Sequence, residues 1–410
     1  MTATTTPPPT LRPFLSDRHE QLWIEADAFA ADHVAPRTAR MEAAPGRVER
    51  KIASLMAGRQ WFAVTVPAAF GGMGYDHVAR TILIHRIARV SGAAAAILQA
   101  TLIPVGAIMN FGTDGQKQHW LPQVADGSGL LSIAVTEPSA GGHIGGIETF
   151  AERDGSEWVI TGAKAHIGNS HLAKTHLVVA RTDDGVRADK ALTAFMVESS
   201  RPGVSVAAHS PGLGLRGFSA GRLDLDGVRV PDDNRLGDVG QGLDVAQSSS
   251  ILYGRLNLAA LSLGLHEAAL ATTTAYLKAR PRYGSTLSDL PVLRGRVGGM
   301  EARLRAARTL AYQAARCLDR GLPCDPDLIT AKLLGHEWAA QSVQDAMELH
   351  GAHALDTGYP LQRMWRDTQH LYPPAGTGEV QRIRLAEEAL DEYQQQWSER
   401  FATPPGPAAL

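Results

Sequence analysis

Residues 131–169 read LSIAVTEPSAGGHIGGIETFAERDGSEWVITGAKAHIGN. Two short apolar runs, Leu131–Val135 and Trp158–Thr161, have the composition of strands. Between them, Thr136–Gly146 is a loop of Gly, Ser and Pro with few bulky side chains. Backbone N–H groups in such a loop can come close to a ligand. They suit a phosphate or a flat polar ring. On composition alone an ordinary surface loop fits equally well.

The same character continues downstream. Apolar runs at Glu148–Arg153, Glu157–Thr161, His176–Arg181, Ala191–Val197, Val204–Ala207 and Gly221–Val230 alternate with turn residues. Closely spaced strands of this kind predict a small barrel or sandwich over residues 129–238. Asp224, Asp226, Asp232 and Asp233 lack the order of a calcium loop and read as solvated acids.

The period changes on both sides. Upstream, Leu22, Ala26, Phe29, Ala30 and Val34 recur at three- and four-residue steps, which predicts a helix over 16–43. Further helices are expected near 47–59, 77–90 and 93–111, so residues 14–128 form an all-α domain. Downstream, helices are expected at 243–279, 291–320, 327–350 and 376–389, with Ser288 or Asp289 capping the second. Four helices on short loops predict an antiparallel bundle over 239–395. Residues 1–13, rich in Thr and Pro, and 396–410, rich in Pro and Ala, are expected to be loose. The fold class is α+β, mostly α: an N-terminal helical domain, a middle β-barrel-like domain and a C-terminal four-helix bundle.

Composition excludes several functions. A formal net charge of −2 does not supply the basic face a nucleic-acid binder needs. The cysteines, Cys317 and Cys324, have neither zinc nor redox spacing and read as packing residues. The opening MTATTTPPPT lacks a leader pattern, and no run is expected to reach membrane-spanning length, so a cytoplasmic location is expected. His350 and His353, with Glu348 nearby, have a possible ligand spacing but no third well-placed partner, so no metal is expected.

VTEPSAG followed by ITGAKAHIGN resembles the flavin-binding middle domain of the acyl-CoA dehydrogenases. The resemblance runs from about Leu22 to Leu390. FGTDGQKQHWLP and LRGFSAGRLDLDGVRVPDDNRLG extend it. It implies FAD between the β-domain and the bundle, with the adenosine end touching a neighbouring subunit, hence a homodimer or homotetramer. It also implies an acyl-CoA or acyl-carrier-protein thioester as substrate. In that chemistry a base takes the α-proton and the flavin accepts the β-hydride.

The implied site is altered. The family's usual glutamate base falls on Ala375, in WRDTQHLYPPAGTGEVQR. Its alternative position, before Arg255, is Gly254. Tyr253 and Glu379 are the nearest candidates to replace it. Among flavin positions Val135, Thr136, Glu137 and Pro138 match. Ile133 replaces an aromatic residue, Gly141-Gly142-His143 replaces Gly-Ser-Asp, and His166-Ile167-Gly168 replaces Trp-x-Thr/Ser. His166 reads either as a new acid/base or as a packed polar residue. Thr377 and Glu379 keep the frame near the cofactor. On the neighbouring-subunit side Arg280, Tyr283 and Gly351 match, whereas Ala352 and Ala354 stand where glycines are usual. These departures imply weaker FAD binding. Three activities fit: a flavoprotein oxidoreductase on an acyl thioester, CoA- or carrier-bound, of the kind used in specialised metabolism; a flavin-dependent monooxygenase; or a redox-silent relative that transforms or binds a thioester.

Overall fold

The computed structural model describes residues 6–183, 185–187, 189–392 and 395–402. The first helices are α1 (Asp17–Phe29), α2 (Ala35–Ala43), α3 (Arg50–Ala57), α4 (His77–Ala88), α5 (Gly92–Phe111) and α6 (Asp114–Ala125). A π-helical turn at Ala30–Val34 interrupts the helix expected over 16–43. Asp76 caps α4 by accepting from Ala79 N–H, and Thr113 and Gln116 form a reciprocal capping box on α6.

Helix α5 is apolar nearly all round and buried along most of its length. It is long and apolar enough to cross a membrane, contrary to the sequence expectation, but 89% of that apolar window is buried inside the protein. A helix hydrophobic on every face is what the centre of a large core requires.

The middle domain is one eight-stranded sheet. Its strands are β1 (Leu131–Ala134), β2 (Phe150–Asp154), β3 (Glu157–Gly168), β4 (Thr175–Arg181), β5 (Leu192–Glu198), β6 (Val204–Val206), β7 (Ala220–Pro231) and β8 (Arg235–Leu236). The order is β6-β7-β3-β2-β4-β5-β8, with β1 parallel to β4. Strands β6 and β8 end the order and do not pair with each other, so the expected barrel is a sheet with an open seam. Strand β3 runs on to Gly168, past the expected end at Thr161. It crosses Gly162 at a bulge in its pairing with β7, where a Cβ would lie 2.5 Å from the Thr149 hydroxyl.

Strands β4 and β5 are buried on both faces, which is why they read as unbroken apolar runs. Leu177, Val179, Leu192, Ala194 and Met196 face the helical core. Val178, Ala180, Phe195 and Val197 join Trp158, Ile160, Leu223, Leu225, Val228 and Val230 in a second, smaller core.

The C-terminal helices are α7 (Gly242–Ser249), α8 (Leu256–Ala279), α9 (Pro291–Asp319), α10 (Asp325–His350), α11 (Pro360–Gln369), α12 (Gly378–Ala389) and α13 (Trp397–Arg400). A π-helical turn at Ser250–Arg255 joins α7 to α8, which were expected as one helix. Helix α11 was not anticipated; Pro360 opens it and LQRMWRDTQ completes it. Helix α9 begins without a side-chain cap. Asp289 accepts instead from Ser285 and Thr286 in the preceding turn.

Both termini are better fixed than expected where they are described. Pro9–Phe14 form a 3-10 helix that buries Leu11 in the main core. Trp397 and Ser398 donate backbone N–H groups to the Asp325 carboxylate, and Cys324 N–H donates to Ser398 Oγ. The first five residues and 403–410 lie outside the described residues.

Candidate active site

Strand β1 delivers Thr136 and Glu137 to the start of the glycine loop. Glu137 is buried and accepts from Lys164 Nζ at 2.6 Å, Glu148 N–H at 2.7 Å and Thr149 N–H at 3.0 Å. These donors hold its carboxyl below the usual carboxylate range, against the burial that raises it. Burial pushes the Lys164 ammonium down to about 8. Lys164 also donates to Val135 O, and Ala165 N–H donates to Thr136 O. The pair thus staples β3 to the loop, and the loop backbone has a fixed path. A Cβ added at Gly141 or Gly142 would meet no protein atom within 4 Å, so that backbone is open to a ligand.

The inner end of β3 lies against α5. Asn169, at φ 59°, donates to Ile97 O and Thr101 Oγ1. Thr101 in turn donates to Leu131 O. A Cβ on Gly168 would stand 3.0 Å from the Phe218 ring and 3.2 Å from the Ala100 methyl. Phe218 therefore fills space beside Gly168 where a hydroxyl side chain was expected. His166, at φ 57°, is exposed. Ile133 is half-buried and pairs with Leu177.

One turn along α5 from Ala100 stands Ile103, and it meets the other half of the site. A Cβ on Gly254 would lie 3.2 Å from Ala375 Cβ, 3.8 Å from Ile103 Cδ1 and 3.9 Å from Ser249 O. None of these is a carboxylate. The positions implied for the base, far apart in sequence, thus meet in space, against Ile103, one turn of α5 from the Ala100 methyl beside Gly168. Gly254 sits in the π-helical turn, and Ala375 is held at φ 57° before Gly376 at φ 92°. Ala375 O accepts from Gln381 Nε2 at 2.7 Å and Arg255 Nε at 3.4 Å. Gly376 O and Tyr372 O accept from Lys332 Nζ at 2.7 and 3.0 Å. Burial pushes Lys332 down to about 8, and Arg255 adds to that.

Neither proposed replacement base reaches this contact. Tyr253 turns away, its ring so close to α5 that a Cβ on Gly106 would be 2.2 Å from it. Arg80 lies 4.1 Å over the ring, and His77 meets it edge-on. Burial raises the Tyr253 hydroxyl pKa and keeps it protonated. Glu379 is exposed and accepts from Tyr372 Oη at 2.7 Å; Tyr372 and Thr377 hold its carboxyl at about 2. Asp367 is buried, which pushes its carboxyl up to about 6 against the Leu215 N–H from which it accepts at 2.6 Å and the nearby Arg363 and Arg366 charges.

The neighbouring-subunit positions gather at the far end of α8 and α10. Arg280 precedes a tight hairpin whose turn residues, Tyr283 and Gly284, both have positive φ, and Tyr283 is 88% exposed. Gly351 ends α10 at φ 57°, ψ −138°, a conformation only glycine adopts freely. His350 stacks on Tyr276 at 4.1 Å and bonds Ala346 O, and Glu348 pairs with Arg296. Ala354 is fully buried and Ala352 has no positive φ, so neither methyl strains the turn. The sequence did not single out Ala100, Ile103, Phe218, Lys332 or Gln381. A lysine on the apolar face of α10, between Leu328, Ile329 and Leu333, is the one signal that could have marked Lys332.

The sequence matches the family profiles for the acyl-CoA dehydrogenase N-terminal domain over residues 16–128, the middle domain over 132–228 and the C-terminal domain over 240–390. An acyl-CoA dehydrogenase of Bacillus subtilis (strain 168) is 32% identical over 368 residues, covering 88% of this chain and 95% of the relative. The chain belongs to the acyl-CoA dehydrogenase family. A 3-(aryl)acrylate reductase of Clostridium sporogenes (strain ATCC 15579) is 29% identical over 378 residues, covering 92% of this chain and all of the relative. The structure of butyryl-CoA dehydrogenase from Megasphaera elsdenii superposes with a TM-score of 0.89 at 27% identity, covering 92% of this chain and 99% of that one.

FAD is the cofactor of this acyl-CoA dehydrogenase fold, and the residues present fit it. The open Gly141–Gly142 backbone leaves room for the ligand, and the buried Arg280 Nε, without a hydrogen-bond partner, is a free donor. Bound there, FAD supplies hydride-accepting chemistry. The protein acts, as an acyl-CoA dehydrogenase-like flavoprotein, on acyl thioesters.

Proposed function

We propose that this protein transforms its acyl thioester without a protein carboxylate that removes the α-proton. The contact between Gly254 and Ala375 supports the reading: both positions implied for the base converge, and both are too small and apolar to accept a proton. A positioned general base contributes typically ~10²–10⁴-fold. Ordinary α,β-dehydrogenation of a saturated acyl thioester is therefore slow here. The substrate is instead one whose α-carbon needs no deprotonation by the enzyme.

The roles of the other residues follow the same reading. Val135, Thr136, Gly141 and Gly142 present backbone to FAD, with Ile133, His166 and Gly168 at the ring. Arg280, Tyr283 and Gly351 serve the cofactor across a subunit contact, and Thr377 and Glu379 keep the frame near it. Arg255 orients the loop at Ala375. A homodimer or homotetramer in the cytoplasm is the setting we propose.

The test is Ala375→Glu, assayed with saturated acyl-CoA esters and an artificial electron acceptor. The variant is expected to gain at least ~10²-fold over the parent protein. Turnover by the parent at the rate of an ordinary dehydrogenase overturns the proposal.

A further inference from the structure

Lys332 stands in α10, 1% exposed, and its ammonium donates to Gly376 O at 2.7 Å and Tyr372 O at 3.0 Å. A buried charge is costly unless hydrogen bonds replace the lost water. Here two main-chain oxygens do so, and both belong to the loop that joins α11 to α12. The acids whose charges reach Lys332 are held by other groups: Glu337 pairs with Arg382, and Glu379 accepts from Tyr372 Oη. The lysine is thereby committed to the loop.

That loop carries Ala375 at φ 57° and Gly376 at φ 92°. A left-handed residue with a Cβ persists only where its surroundings fix it. Three donors from separate elements do so here. Gln381 Nε2, in α12, donates to Ala375 O at 2.7 Å and to Gly376 O at 3.1 Å. Arg255 Nε, in the π-helical turn, donates to Ala375 O at 3.4 Å. Both grip the Ala375–Gly376 end, whereas Lys332 bridges that end back to Tyr372. The loop so held places the Ala375 methyl 3.2 Å from where a Cβ on Gly254 would lie.

We propose that Lys332 is a positioning residue for the reaction: by bridging Gly376 O to Tyr372 O it sets how Ala375 stands against Gly254, and so the wall that the acyl thioester meets. It acts through the loop and exchanges neither proton nor hydride. This rests on the reading of Ala375 and Gly254 as the base positions. A methionine in its place would fill similar space, leave both oxygens without this donor and cut the bridge between them.

The experiment uses the FAD-loaded protein carrying Ala375→Glu, whose turnover of butanoyl-CoA reports where residue 375 stands. Lys332→Met is added, and kcat, KM and flavin content are measured with an artificial electron acceptor. Amide hydrogen exchange is followed by mass spectrometry in the parent and in Lys332→Met alone. The added variant is expected to lower kcat at least ~10-fold, as a misplaced group does. KM is expected to stay within ~2-fold, with flavin content unchanged. Exchange over residues 370–378 is expected to rise at least ~10-fold, and not elsewhere. Unchanged kcat or unchanged exchange overturns the inference. So does a general loss, in which flavin content falls and exchange rises throughout α10 and α12. Lys332→Gln, whose shorter side chain cannot bridge both oxygens, carries the test if Lys332→Met fails to fold. If Ala375→Glu gains no turnover while Lys332→Met still raises exchange in the loop, the reading of the base positions is overturned instead.

Discussion

Lys164 Nζ lies 2.6 Å from Glu137 Oε1 in a seam from which water is excluded, and that pair ties the end of β1 to β3. Removing one partner leaves the other charge buried and alone. Glu137→Gln or Lys164→Met is expected to cost ~3–5 kcal/mol, and the double variant less than the sum. Urea unfolding checks both statements. FAD retention through gel filtration should fall with each single variant, because the loop at Gly141 loses its anchor.

The Phe218 ring and Gly168 form a complementary pair. Gly168→Ser alone is expected to destabilise the protein by ~1–3 kcal/mol, as an overpacked site does. Combined with Phe218→Ala, the hydroxyl gains room and FAD should be held more tightly than in the parent. Flavin content after extended dialysis, compared across the parent and the three variants, is the measurement.

Gly106 is a close-approach glycine under Tyr253. In an open helix, Gly→Ala adds about 1 kcal/mol of stability. Here the methyl meets the ring, and Gly106→Ala is expected to lose ~1–3 kcal/mol instead. Tyr253→Leu should recover part of that loss in the double variant. Thermal midpoints of the four proteins decide it.

Asp319 gives a pH dependence. Its carboxylate accepts from His77 and Val78 N–H at the start of α4, and burial, with Asp76 nearby, pushes it up to about 7 from 3.8. Between those values the native carboxyl keeps its proton and the unfolded one does not. The native state then binds more protons, so stability falls as pH rises through that window and levels off above it. Asp319→Asn should flatten the slope, read from urea midpoints at pH values from about 5 to about 8.

Tyr283, Val292, Leu355, Ile383 and Leu390 are the most exposed large apolar side chains of the C-terminal helices and their connections, each at least 59% exposed. Such exposure suits a subunit contact. If the proposed oligomer forms through this surface, Tyr283→Glu with Val292→Glu is expected to lower the mass read by light scattering toward that of the monomer. An unchanged mass would place the contact elsewhere.

The domain order was legible because period is local: helical spacing around Leu22 and Val34, and the short unbroken apolar runs of β4 and β5, show in the sequence itself. Gly162 misled, because a glycine at a bulge looks like the end of a strand. Leu11 misled as well, since one buried leucine in a Thr/Pro-rich stretch carries no period. Helix α11 is short and opens on proline, so it reads as loop. At the site the substitutions at Ala375 and Gly254 were visible, but their contact was not. It depends on a π-helical turn and a left-handed residue brought together by tertiary packing. Phe218 and Lys332 escaped for the same reason, as their partners lie on other elements.

The main core draws on residues from Leu11 to Leu371, and the N-terminal helices share it with the C-terminal ones, whereas the sheet keeps a small core of its own. The family profiles cut the chain into three, yet two of the pieces are one body split by an insertion. During synthesis α5 would leave the ribosome long before α7 and α8, two of the helices it packs on, have been made. Until then the apolar face that meets them stays uncovered, which makes that nascent stretch a client for holding chaperones and a site where translation speed affects yield.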